Sequence, residues 1–80
     1  MSPLFEILGP IRHIEVIASG RGVRAGRHLR ERFGGLNWKK MKGVALVRDT
    51  SNEIYEAEIH WYECHGIGRQ LFKIKRPTRG

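Results

Sequence analysis

Eighty residues carry fifteen Lys and Arg against eight Asp and Glu, a net charge of +7 at neutral pH. A chain of this length forms one domain with a thin core, burying only about 60% of its unfolded surface. The single cysteine, Cys64, excludes an intramolecular disulfide, and no run approaches the roughly 20 apolar residues that span a bilayer. Met1 to Pro10 has no basic leader and its apolar run is broken by Glu6, so a signal peptide is not expected. With an unpaired cysteine, these features predict a cytoplasmic protein with no membrane partner.

Ser2-Pro3 followed by Leu4, Phe5, Ile7 and Leu8 predicts an N-terminal arm or short helix over 1–10, stopped by Gly9-Pro10. Ile11 to Ala18 reads as a strand, with Ile14, Val16 and Ala18 on one face and Glu15 opposite. Ser19 to Gly22 is a turn. From Val23 to Phe33 the apolar period becomes helical, and Gly34-Gly35 is a C-terminal stop. Leu36 to Lys42 is a basic connector holding Trp38 and Met41.

Lys42 to Asp49 predicts a second strand, and the polar Asp49 to Asn52 a hairpin turn. Glu53 to Glu63 alternates most clearly: Tyr55, Ala57, Ile59 and Trp61 share one face, and Glu56, Glu58, His60 and Tyr62 the other. After a loop at Cys64 to Gly68, Gln70 to Lys75 is a last strand, with Phe72 and Ile74 inward and Lys73 and Lys75 outward. Pro77 to Gly80 reads as a flexible tail. The order β–α–β–β–β predicts a single α+β domain over 1–80. Its sheet has three to four mainly antiparallel strands, with one helix packed on it. The expected core is Ile14, Val16, Leu29, Phe33, Leu46 or Val47, Ile59, Trp61, Phe72 and Ile74.

Charge is segregated along the chain. Residues 24–48 hold eight bases and one acid, Glu31; residues 49–63 hold five acids and no base; residues 64–80 hold five bases and no acid. Arg24, Arg27, Arg30 and Arg32, then Lys39, Lys40 and Lys42 around Trp38, suit a phosphate backbone, because each neutralised phosphate releases condensed counterions and an aromatic can stack on an unpaired base. The competing reading is a solvated helix face with Trp38 in the core. The row Glu56, Glu58, His60 and Tyr62 beside Lys73 and Lys75 offers acid and base groups, but cross-strand pairing with the chain's own bases is the simpler role.

In His65-Gly66-Ile67-Gly68-Arg69 two glycines let backbone N–H groups approach an anion and Arg69 adds a bidentate donor; the alternative is a hairpin turn alone. His60, Cys64 and His65 fall short of the two spaced ligand pairs of structural zinc. No metal and no cofactor are expected.

The stretches Ala57 to Glu63, His65 to Arg69 and Phe72 to Arg76, extending back through Trp38 to Gly43, resemble the C-terminal signature of a family of small uncharacterised bacterial proteins. The resemblance covers most of the chain after Ile14 and implies no assigned activity. By size, charge and element order the chain is also similar, more loosely, to the compact metal-independent ribonuclease toxins of the RelE-like and colicin-like group. Those combine a basic helical segment with an antiparallel sheet.

The leading expectation is a non-enzymatic nucleic-acid-binding domain. Arg24, Arg27, Lys39, Lys40 and Lys42 would hold phosphates, with Arg69 and Lys75 as outer contacts. RNA is favoured over DNA, since no recognition-helix motif for the major groove is present. One alternative is a ribonuclease using His60 or His65 as acid or base and Arg69 on the phosphorane charge. Another is a protein-interaction module that pairs with a partner or forms a homodimer.

Overall fold

The structure, a computed structural model, describes residues 4–78. Two long strands dominate it, β3 (Lys39–Asp49) and β4 (Ile54–Cys64), joined by a tight turn. Asp49 builds that turn: its Oδ1 accepts the backbone N–H of Ser51 at 2.9 Å and of Glu53 at 3.1 Å, while Asn52 takes a left-handed φ of 66°. The next turn leads to β5 (Gly68–Pro77), completing an antiparallel meander β3–β4–β5. On the other side of β3 lie two shorter strands in succession. β1 (Phe5–Ile7) pairs with Val47–Asp49, and β2 (Arg12–Ser19) pairs with the segment from Lys39 to Val44. All pairings are antiparallel, and the one α-helix among the described residues, α1 (Gly26–Phe33), follows a 3-10 turn at Gly20–Gly22.

The mainly antiparallel α+β architecture agrees with the sequence reading, but among the described residues the sheet has five strands. The N-terminal segment is strand rather than helix at Phe5–Ile7, because three residues form a ladder on the free side of β3 more readily than a helical turn forms alone. Ser2 and Pro3, the expected cap and first helical residue, lie outside the described residues. Residues 39–42 belong to β3 rather than to a connector, and α1 starts at Gly26, three residues later than the periodicity suggested. Pro77 closes β5, and the Thr78 N–H donates to the Glu56 carbonyl at 2.8 Å, so the expected tail is tied down as far as residue 78.

Alternation divides the sheet into two packed faces. On the first, Met41, Ala45, Val47, Ala57, Ile59 and Trp61 are buried together, with Phe5 and Ile7 of β1 and Phe72 and Ile74 of β5 leaning on them. Strands from both ends of the sheet cover this cluster, so the sheet curls over it. Small residues sit at the centre: Ala45 faces Ala57 in register, and both are fully buried. On the second face α1 packs over one end, where Leu29, Val23 and Trp38 meet Cys64 and the half-buried Tyr62. The helix ends at Gly34, whose φ of 82° favours glycine and whose N–H bonds the Arg30 carbonyl.

Two expected core residues are not buried. Ile14 is 42% and Val16 52% exposed. Regular alternation fails along β2, where the pairing shifts between Arg12 and Glu15 and again between Val16 and Ala18, with His13 at a φ of 55°. Of the pair Leu46 and Val47, Val47 is the buried one. The remaining predicted core residues are buried or half-buried.

Gly43 is the tightest point of the curl. A Cβ there would lie 2.5 Å from Ile11 Cγ2, 3.1 Å from the Arg12 carbonyl oxygen and 3.2 Å from Trp61 Cη2. Backbone and a fully packed indole cannot both give way. Gly43→Ala is expected to destabilise the fold by about 1–3 kcal/mol, the usual range for overpacking. Urea unfolding measures this, and an unchanged midpoint would show that the curl does not depend on this close approach.

Candidate nucleic-acid interface

The acidic residues of the sheet are largely engaged by the chain's own bases. On the face shared with α1, Glu56 forms an ion pair with Arg12 and accepts the Thr78 hydroxyl at 3.2 Å. Glu58 sits 2.7 Å from His60 Nε2 and 3.2 Å from Arg76. A carboxylate only accepts, so Nε2 carries the hydrogen of the His60 contact. Glu15 reaches Lys42 at 4.0 Å, Glu6 pairs with Arg48 at 3.1 Å, and Glu31 with Arg27 at 3.4 Å. On the opposite face Glu63 accepts the Trp61 indole N–H at 2.9 Å and pairs with Arg69 at 3.5 Å.

Self-pairing of the acidic strand is therefore as the sequence reading favoured, with different partners. Lys73 and Lys75 were the expected ones; Arg12 and Arg76 take their place. The register explains it, because a shift after Ile59–Ile74 brings Arg76 rather than Lys75 opposite Glu58.

These contacts act on the carboxyls. The hydrogen bond from His60 holds Glu58 below its ordinary value of 4.5, with Arg76, His60 and Lys42 adding charge and partial burial opposing. The Arg12 hydrogen bond does the same for Glu56, with Thr78 assisting. Partial burial, followed by the nearby Asp49, raises the Tyr55 phenol.

Cations remain over. Among the described residues Arg21, Arg24, Arg30, Arg32, Lys39, Lys40, Lys73 and Lys75 have no carboxylate within 4.0 Å. They lie on and beside α1, at the start of β3 and on β5, and all but the half-buried Lys40 are exposed.

The predicted phosphate ligands fall into separate groups. Arg24 is exposed just before α1, and Arg27 is exposed but paired with Glu31. Lys40 and Lys42 share a face with His60 and Tyr62, their register partners, whereas Lys39 stands opposite Glu63 on the other face. Lys75 is exposed at the β5 shift. Arg69 lies with its guanidinium carbon 5.3 Å from the centre of the Trp61 ring.

What the fold does bring together is Lys39, His65 and Arg69. They line a cleft of about 600 Å³ at the β4–β5 turn, with Asn37, Gly66 and Gly68. Both glycines have positive φ, 85° and 95°, and neither is crowded. His60 is elsewhere, held to Glu58 on the other face, so His60, His65 and Arg69 do not form one catalytic group.

Trp38 is not a base platform. It is 2% exposed, and its indole N–H is bonded to the Gly34 carbonyl at 2.9 Å. Among the described residues no group of three or more His, Cys, Asp or Glu has metal-holding geometry, and no helix is long and apolar enough to cross a membrane. Sequence reasoning missed a second cavity, of about 830 Å³, where Arg32, Phe33, Leu71, Phe72 and Lys73 meet. Phe33 and Phe72 in its lining looked like core residues. Comparison of the chain with protein-family models, with curated proteins and with solved structures finds no match.

The two lowered carboxyls give a pH dependence with a definite sign. Glu56 and Glu58 bind protons less readily folded than unfolded, so their contribution is complete above the unfolded value and is lost as pH falls through the folded one. The melting temperature is expected to drop as pH falls below about 4.5, and Glu58→Gln to flatten part of that drop. An identical acid profile in the variant would remove Glu58 from the account.

Proposed function

We propose that this protein is a small nucleic-acid-binding domain that carries out no reaction on its ligand, with RNA favoured over DNA. The observation that carries this reading is the imbalance left after internal pairing. Most of the carboxylates are engaged within the fold, and the surplus of Lys and Arg stays solvent-exposed on α1, at the start of β3 and on β5. Free cations meet a polyanion without first giving up a partner, and each contact releases counterions. Among the described residues Arg24, Lys39 and Lys75 are exposed and have no carboxylate partner, and Lys40 is half-buried on the face below α1. Arg27, Lys42 and Arg69 would exchange exposed ion pairs, each worth only about 0–1 kcal/mol, for phosphates. The preference for RNA rests on the helix content. α1 is one helix of eight residues anchored through the buried Leu29, and among the described residues there is no second α-helix to form a groove-reading pair.

Fluorescence anisotropy with a labelled RNA oligonucleotide over a salt series tests this. The logarithm of affinity should fall linearly with the logarithm of salt, and each of Arg24→Ala and Lys39→Ala should reduce the slope by about 1. No binding at low salt, or affinity indifferent to salt, rejects the reading.

One observation favours a second reading, a metal-independent ribonuclease: Lys39, His65 and Arg69 share one cleft, where an imidazole and two cations could face a phosphodiester. Incubation with RNA in EDTA separates the two. Intact RNA is expected; cleavage abolished by His65→Ala would put the ribonuclease in first place.

A further inference from the structure

The curled sheet does not close. β1 and β5 both lean on the same apolar cluster, yet among the described residues they share no backbone pairing, and a cavity of about 830 Å³ opens between them beside the last turn of α1. That volume lies within the roughly 300–1,000 Å³ of small-ligand pockets. α1 contributes Arg32 and Phe33, and β5 contributes Arg69, Leu71, Phe72 and Lys73. Three of these are cations, and among the described residues no carboxylate is part of the wall.

The floor is aromatic and held from behind. Phe33 and Phe72 are each half-buried and line the cavity. The Arg32 guanidinium carbon lies 5.0 Å from the centre of the Phe33 ring, where a base could replace it as it turns to a phosphate. Phe33 rests on Trp38 at 5.9 Å between ring centres, and Phe72 rests on Trp61 at 5.5 Å. Both tryptophans are themselves buried. Two rings backed by packed indoles keep their orientation without a ligand, which lowers the cost of stacking something on them.

The backbone beside them is strained. Leu71 has a φ of 59°, a region that L-residues with large side chains rarely adopt, and it is 41% exposed. It lies where the pairing skips from His60–Lys73 to Tyr62–Gln70, so Leu71 and Phe72 together stand opposite Trp61. Burial of the leucine does not explain this conformation. Its visible effect is to set two neighbouring apolar side chains at the wall of the cavity.

A flat apolar face close to negative charge is the chemistry that fits: rings to stack on, with Arg32 and Lys73 free of carboxylates at the rim. We infer that this cavity receives the unpaired bases of single-stranded nucleic acid, stacked on Phe33 and Phe72, while Arg32 and Lys73 hold the flanking phosphates. This rests on the nucleic-acid reading above and narrows it from phosphate contact to single strands. A duplex presents phosphates but hides its base faces, so it would use the exposed cations and leave the cavity empty.

The test compares a labelled 12-nucleotide RNA single strand with the same sequence in a duplex, by anisotropy at one salt concentration. The wild-type chain should bind the single strand about tenfold tighter. Phe33→Leu and Phe72→Leu keep apolar volume but remove the ring face, and each should weaken single-strand binding by about five- to tenfold, the range expected for loss of one stacking partner, with duplex affinity unchanged. Arg32→Ala alters an exposed residue, and Leu71→Gly suits the left-handed backbone. Both should keep the wild-type melting temperature while weakening the single strand, so the test stands even if a phenylalanine variant unfolds.

Equal affinity for the two forms, with Phe33→Leu, Phe72→Leu and Leu71→Gly indifferent, overturns the stacking site and leaves phosphate binding standing. Absence of binding to either form overturns the nucleic-acid reading itself. If the wild-type chain ignores RNA but binds an acidic leucine-rich peptide, and the leucine variants lose that binding, the cavity belongs to a protein partner and the inference is overturned.

Discussion

Trp61 lies against β3 because residue 43 has no side chain, and much of the molecule follows from that contact. With the indole pressed over Gly43 and beside Ile11, its N–H points at Glu63, its outer face meets Phe72, and Arg69 lies over the ring. Ala45 opposite Ala57 continues the same shallow line along β3 and β4. A sheet that is narrow at its centre and bulky at its sides curls toward the narrow part. β1 and β5 are thereby brought around one cluster of side chains without enough strand length at β1 to join them. The opening between them comes from the same packing that makes the core.

Electrostatics reinforces that arrangement. The acids are concentrated in the central strand β4, and the bases that meet them come from both sides, Arg12 from β2 and Arg69 and Arg76 from β5. Exposed pairs of this kind each contribute little to stability. Their larger effect is to favour a negative strand between positive neighbours, because β4 carries no Lys or Arg and β5 no Asp or Glu. The negative strand thus serves the fold, and the positive surplus is displaced to the helix and the flanks.

Much of this could be read from local pattern. The alternation of β4, the Asp49–Asn52 turn and the Gly34 stop are decided by residues close in sequence, and they were legible. β1 was not, because a strand of three residues exists only where a neighbour offers unpaired backbone. The irregularities at His13 and Leu71 were also hidden. Which residue leaves the alternating pattern depends on the strand across from it, and so Ile14 and Val16 were assigned to a core they do not enter. The same limit applied to the site. Basic residues are visible in any sequence, but Lys39 separates from Lys40 and Lys42 only when β3 is known to start at residue 39, and Lys39 joins His65 and Arg69 only through the ladder. Phe33 and Phe72 read as ordinary core residues, and their half-exposure is a product of the curl.

β5 bonds to β4 along one side and, among the described residues, has no neighbouring strand along the other. Backbone left open in that way is a template for another chain to add to, and a copy of the same protein is the most abundant candidate. Between Arg69 and Arg76 the strand carries four cations and no acid, so two copies approaching there would set like charges against each other. Those side chains act as gatekeepers against sheet extension, and in the proposed nucleic-acid reading they would also meet phosphates. On that proposal solubility and affinity would share one origin in this strand, and removing its charge would weaken both together.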